Sequence, residues 1–157
     1  MSKSWWASVG LSLVVLCVGF ARTLTGTVVG VTDGDTVVVR AGEETLTVRL
    51  HGIDAPEAKQ PFGARAKQEL SELVFKKAVR VEIMSRDRYG RQVGRVFVGK
   101  TDVNLELVRR GLAWWYREYA RGDRELAEAE AEARADRRGL WSDPEPMPPW
   151  QTRNRNK

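Results

Sequence analysis

Apolar and polar residues alternate along residues 23–50, and the alternation is interrupted at Asp33-Gly34 and at Ala41-Gly42. A period of two marks a strand with one buried face. The pattern predicts strands over 23–32 (TLTGTVVGVT), 36–40 (TVVVR) and 44–50 (ETLTVRL). Asp-Gly between such runs is a strong hairpin signal, because both residues tolerate the positive φ of a tight turn. In the third strand Leu46, Val48 and Leu50 share one face, and Thr45, Thr47, Arg49 and His51 share the other. Two more strands are predicted at 78–84 (AVRVEIM) and 91–98 (RQVGRVFV), joined by the turn SRDRYG.

Elsewhere the spacing is helical. Pro61 opens a helix at a favoured first-turn position, with Ala64, Leu70, Leu73 and Val74 on its buried side, running to about Lys76. The stretch DVNLELVRRG predicts a short helix with Asp102 as N-cap and Gly111 as stop. Residues 123–138 alternate Glu and Ala, but Ala, Glu, Leu and Arg all favour helix. Leu126, Ala129, Ala133 and Leu140 form one apolar stripe there. After Trp141 four of the six prolines fall within 144–149, and QTRNRNK ends the chain. Residues 142–157 therefore read as an extended, partly mobile tail. Its Arg153, Arg155 and Lys157 read first as a solvated basic end, and second as phosphate contacts. The order β-β-β-α-β-β-α-α suggests a mainly β domain with α: a five-stranded closed barrel of the oligonucleotide-binding (OB) kind with three α-helices.

Composition narrows the function. The chain has 157 residues, enough for one domain, and 42% apolar residues, enough for a core. A net charge of +5 favours an anionic partner. Lys3 is the only charge in residues 1–21, and Ala7 to Phe20 is almost wholly apolar. That run is short for a membrane span of about 20 residues. Gly19 and Ala21 flank Phe20 as a signal peptidase requires, so residues 1–21 are expected to be a secretory signal peptide. The protein is then secreted, or periplasmic in the cell envelope; an uncleaved membrane anchor is the alternative. Removing this segment leaves a charge of +4 and takes away Cys17, the only cysteine. Disulfide and thiol chemistry are thereby excluded from the mature chain.

Four groups of residues are candidates for chemistry. In TDGDT (32–36), Asp35 with Asp33 beside it is either a hard-cation ligand or a solvated turn acid. Asp54 and Glu57 flank Pro56, which biases Ala55 to an extended conformation, so a short rigid loop can aim both carboxylates at one point. Two ligands and one base are what a metal-assisted hydrolase needs; solvated loop acids are the plainer reading. Arg49 and Arg91 are either surface arginines or two planar forks for one phosphate. His51 is the only histidine. It has no second histidine for a metal and no nucleophile to activate, so it is expected to be dispensable. Trp114, Trp115 and Trp141 are assigned to packing first and to base stacking second.

Five stretches in order, DGDT (33–36), VRLHGIDAPE (48–57), DRYGR (87–91), NLELVRRGLA (104–113) and RRGLW (137–141), resemble the thermonuclease, or staphylococcal-nuclease-like, family. The resemblance covers about Gly26 to Trp141, within a domain taken as 22–141. It implies a five-stranded OB barrel with three helices, and hydrolysis of phosphodiester bonds in DNA and RNA with one Ca²⁺, leaving a 3′-phosphate and a 5′-hydroxyl. By the resemblance, Asp35 and Asp54 would bind Ca²⁺ through carboxylates and Ala55 through its carbonyl, where the family often has Thr. Glu57 would act on the attacking water as general base or orienter. Arg49 and Arg91 would bind the phosphate and stabilise the transition state. Tyr89 and Tyr119 would lie near the nucleotide, although WWYREY (114–119) departs from the family pattern around Tyr119. No obligate protein partner is evident and a monomer is expected. Two other classes stand beside this one. A noncatalytic nucleic-acid-binding OB module could keep the fold and lose the acids, whereas every acid is kept here. A membrane-anchored envelope protein that binds a protein partner rests on residues 1–21 and the prolyl tail.

Overall fold

Val-rich strands with one buried face must find a partner for that face, and here they close on themselves. The computed structural model describes residues 22–155. The meander β1 (Arg22–Asp33), β2 (Thr36–Ala41) and β3 (Glu44–Leu50) is followed by a two-residue strand β4 (Ile53–Asp54) and helix α1 (Gly63–Val74). Then come β5 (Ala78–Arg86), β6 (Gln92–Val98), β7 (Thr101–Asp102), α2 (Val103–Arg109), β8 (Trp114–Trp115) and α3 (Arg124–Ala135). A 3-10 turn (Gly139–Ser142) and α4 (Pro149–Arg155) end the described chain. The sheet runs β3-β2-β1-β5-β6-β7, and β3 pairs parallel with β6, Val48 opposite Gln92 and Leu50 opposite Gly94. That pairing closes five long strands into the expected OB-type barrel and leaves few free sheet edges.

Val28, Val37, Val39, Val48, Val81 and Val96 are fully buried in the core, where β-branched side chains pack well on a pleated face. Buried Asn104 at the start of α2 is a polar rivet. Its amide donates to His51 O (2.9 Å) and Gly94 O (3.3 Å), and its Oδ1 accepts from Val96 N (3.1 Å). Asp102 caps α2 as expected, accepting from Leu105 N (3.0 Å), and Gly111 lies just past its end at φ 68. Asp123 caps α3 in the same way, accepting from Leu126 N (3.0 Å).

Four expectations are corrected. Helix α1 begins at Gly63 rather than Pro61, because Phe62 takes a left-handed conformation (φ 65). It ends at Val74, where Phe75 turns extended, and it buries Ala66 in place of Ala64, which is exposed. Finally, there are four α-helices among the described residues, not three: residues 149–155, expected as part of an extended, partly mobile tail, form α4. Pro149 suits a helix start, and Trp150 anchors the helix on Trp114 (ring centroids 5.7 Å) and Tyr116 (5.1 Å). The expected signal peptide lies outside the described residues. Among the described residues no helix is long and apolar enough to cross a membrane.

Candidate active site

The first acid is set by the β1–β2 hairpin. Asp33 Oδ1 accepts from Asp35 N (3.1 Å), which holds the tip. Gly34 lies so close to its neighbours that a Cβ there would come within 2.7 Å of Ala55 Cβ and 2.8 Å of Ala66 Cβ. The hairpin can therefore nest against α1 and the Asp54 segment. The Asp35 carboxylate accepts from Ala55 N (2.7 Å) through Oδ2 and from Thr36 Oγ1 (3.1 Å) through Oδ1.

Arg49 stands on the polar face of β3, as its parity requires. Its Nη1 lies 3.0 Å from Asp35 Oδ2, and its Nη2 lies 2.8 Å from Asp54 Oδ1. Nη1 also donates to Leu50 O (3.2 Å) and Ile53 O (3.0 Å). One planar fork thus joins the two acids and the chain between them. Asp54 is not on a free loop. It pairs with Trp114 in the short β4–β8 ladder and is 1% exposed. Gly52 makes the bend before it at φ 74. Glu57 sits on the next turn, where its backbone N donates to Gln60 Oε1 (2.8 Å) and its carboxylate stays half-exposed.

The electrostatics are uneven. Burial pushes the Asp35 carboxyl up to about 7, and Arg49 offsets this only in part, while Asp33 and Asp54 push it further up. On the other side of Asp54 stands Arg153 of α4, with Nη2 2.6 Å from Asp54 Oδ2 and Nη1 2.7 Å from Glu57 Oε1. Burial disfavours its charge, but the hydrogen bonds to Asp54 and Glu57 outweigh this and hold its pKa above the usual arginine range.

The remaining candidates line the same cleft of about 1310 Å³. Arg91 is not drawn to the acid cluster: its Nε donates to Asp87 Oδ2 (2.6 Å). Asp87 Oδ1 also accepts from the backbone N of Tyr89 (2.9 Å) and of Arg91 (3.0 Å). Burial pushes the Asp87 pKa up, but these hydrogen bonds and the Arg91 charge together outweigh it and hold the carboxyl below the carboxylate norm. Tyr89 and Tyr119 are exposed, at 69% and 66%, and Tyr119 rests edge-on against Tyr116. His51 is half-buried. Burial and then the Arg95 charge lower its pKa, with Asp123 offsetting part of the shift. It makes no hydrogen bond or ion pair with Asp54 or Glu57. Sequence reasoning missed Tyr116, Glu130 and Trp150 in the cleft wall, and placed Arg153 in solvent. The three-residue spacing of Trp150 and Arg153, one face of a helix, was the available signal.

The donor set is hard oxygen throughout, from Asp35, Asp54 and Glu57, and the cluster contains no thiolate or imidazole. That chemistry suits Ca²⁺ or Mg²⁺ rather than a soft metal. Among the described residues no three His, Cys, Asp or Glu side chains converge as a ready-made metal cluster. A cation here would be held by two carboxylates, with carbonyl or water oxygens completing its shell. The under-compensated, buried Asp35 fits such a ligand.

Comparison with known proteins agrees with this arrangement. The model of the family described as "Staphylococcal nuclease homologue" matches residues 47–143, a span holding Arg49, Asp54, Glu57 and Arg91. A protein named "Micrococcal nuclease" from Shigella flexneri is 44% identical over 142 residues, covering 84% of this chain and 82% of its own. "Protein ParB" of Escherichia coli is 41% identical over 157 residues, covering 94% and 89%. An "Uncharacterized endonuclease" of Escherichia coli O157:H7 is 44% identical over 131 residues, covering 83% and 85%. Barrel, acid cluster and matched span agree, and the chain belongs to the staphylococcal nuclease homologue family, whose members similar to it include nucleases.

Proposed function

We propose that this protein is an exported, Ca²⁺-dependent nuclease that hydrolyses phosphodiester bonds of both DNA and RNA, leaving 3′-phosphate and 5′-hydroxyl ends. The observation that carries the reading is the Arg49 fork spanning Asp35 and Asp54, with Glu57 on the adjoining turn. Asp35 and Asp54 would hold the cation, and the Ala55 carbonyl would complete their set. When bound, a hard dication supplies charge stabilisation at the phosphoryl oxygens.

The chain's own groups do the rest. Glu57, half-exposed at the cleft, takes a proton from the attacking water or orients it. The water oxygen bonds to phosphorus, the P–O5′ bond breaks, and O5′ takes a proton from solvent water as it leaves. The phosphate carries more negative charge in the transition state than in the ground state, so fixed guanidinium groups favour the former. Arg49 is fixed by two carbonyls, and Arg91 is oriented by Asp87. Tyr89 and Tyr119 stand at the rim, where aromatic faces stack any base and so confer little sequence preference. Arg86, Arg88 and Arg117 line the cleft and would give affinity that falls with salt. Export rests on the apolar segment of residues 1–21, and a monomer suffices for this chemistry.

The test is cleavage of plasmid DNA and of RNA, with Ca²⁺ or with a chelator, by wild type and by Glu57→Gln. Wild type is expected to cut both substrates only with Ca²⁺, and Glu57→Gln to be slower by about 10²–10⁴-fold, the usual contribution of a general base. Wild type that binds nucleic acid but leaves it intact in Ca²⁺ would be a noncatalytic barrel, and the nuclease reading would fail. Glu57→Gln cutting at the wild-type rate removes Glu57 from its role and leaves the activity standing.

A further inference from the structure

Helix α4 lies in the cleft, and two of its side chains occupy positions at the acid cluster. Trp150 stacks flat on Tyr116, with ring centroids 5.1 Å apart and planes 3° apart, and meets Trp114 edge-on. Three residues on, Arg153 spans Asp54 and Glu57, with a longer third contact from Nη1 to Asp54 Oδ1 (3.4 Å). The loop that carries Glu57 also grips this helix: Gln60 Nε2 donates to Thr152 Oγ1 (2.7 Å) and to Met147 O (3.4 Å).

The consequence concerns charge and space. Both Asp54 oxygens are taken, Oδ1 by Arg49 and Oδ2 by Arg153. The cluster formally holds three carboxylates and two guanidinium groups, one negative charge in all. A dication added to it would turn the balance positive and press against two guanidinium groups in a poorly solvated site. The two arginines are not equally held. Arg49 is 15% exposed and is fixed by the Leu50 and Ile53 carbonyls as well as by the acids. Arg153 is 42% exposed, and among the described residues its side chain hydrogen-bonds to Asp54 and Glu57 alone. Arg153 is the charge that can leave.

We propose that α4 is an autoinhibitory latch: Arg153, bridging Asp54 and Glu57, competes with the divalent cation for Asp54, while Trp150 covers the Tyr116 face in the same cleft. The latch rests on the proposal that Asp35 and Asp54 hold a divalent cation. Cation binding and latch opening are then one equilibrium. Substitutions that weaken the latch tighten cation binding, because less of the binding free energy goes into displacing Arg153.

The test is calorimetric titration of CaCl₂ into the protein without nucleic acid, for wild type, Arg153→Ala, Arg153→Lys and Trp150→Ala. Arg153→Ala is expected to bind Ca²⁺ at least about tenfold more tightly, the scale set by a charge-assisted pair to a buried carboxylate. Arg153→Lys, with a charge but no fork, falls between. Trp150→Ala, which alters no charge, also binds more tightly than wild type. Arg153→Ala and Arg153→Lys that both bind no tighter than a Ca²⁺-binding wild type would overturn the latch and leave the nuclease reading intact. If neither wild type nor any variant binds Ca²⁺, the cation reading itself fails and the latch fails with it.

Discussion

Replacing Asp35 by asparagine isolates an electrostatic cost that the fold carries at its site. Asp35 is 6% exposed, and its pKa rises from 3.8 in the unfolded chain to about 7 in the fold, chiefly through burial. Between these values the native state keeps a proton that the unfolded state has released. Stability then falls as pH rises, by up to about 1.4 kcal/mol per pH unit. Across the roughly three units between the two values, the full cost is on the order of 4 kcal/mol. It is absent below about pH 4 and complete above about pH 7. Asparagine cannot ionise. Its altered contact with Arg49 shifts the stability at every pH alike and leaves the tilt to be read. The assay is urea unfolding of wild type and Asp35→Asn at fixed ionic strength with a chelator, from pH 4 to pH 8. The stability of Asp35→Asn relative to wild type is expected to climb by about 2–4 kcal/mol over that range and then level off. Parallel curves would mean that Arg49 fully compensates the buried carboxylate. A tilt in the opposite sense would mean that the carboxyl is held below its ordinary range. Either result refutes the reasoning.

Two further outcomes are expected. Gly34→Ala places a methyl within 2.8 Å of both Ala55 and Ala66 Cβ. It should cost about 1–3 kcal/mol in urea unfolding and, because it wedges the Asp35 hairpin away from Asp54, should slow plasmid cleavage as well; wild-type values of both would show that the hairpin is not held by this contact. His51→Ala should keep most activity and the shape of the pH–rate profile, since the imidazole has no bond to Asp54 or Glu57. A loss as deep as that of Glu57→Gln would place His51 in the chemistry.

The barrel was readable because its five long strands carry period-two patterns, and each was placed to within about two residues. Arg49 was readable for the same reason: on a strand, parity alone decides which side chains meet the core. The short pairings were not readable. Ile53–Asp54 and Trp114–Trp115 form a ladder of two residues each, too short for any period, and their partners lie some sixty positions apart in the chain. The loop stiffness assigned to Pro56 is thus only part of what fixes Asp54. Arg91 was readable as a cleft residue but not in its orientation. Its ion-pair partner, Asp87, is four positions away and also organises the turn between β5 and β6.

The C-terminal segment was misread for a different reason. Proline-rich stretches are normally linkers because proline removes backbone donors and cannot extend a helix. That argument covers 144–148, but at Pro149 it reverses, since proline suits the first turn of a helix. Beyond Pro149, Trp150 and Arg153 share one helical face. The core domain offers a matching surface: an aromatic wall at Trp114 and Tyr116, and three acids that Arg49 alone leaves two charges short of neutrality. A buried, uncompensated carboxylate is costly enough to recruit whatever cation is tethered nearby. Local composition describes what a segment does when nothing attracts it. Here the attraction comes from the charge balance of a site nearly a hundred residues earlier, so the position of Arg153 is a property of Asp54 and Glu57 as much as of its own sequence.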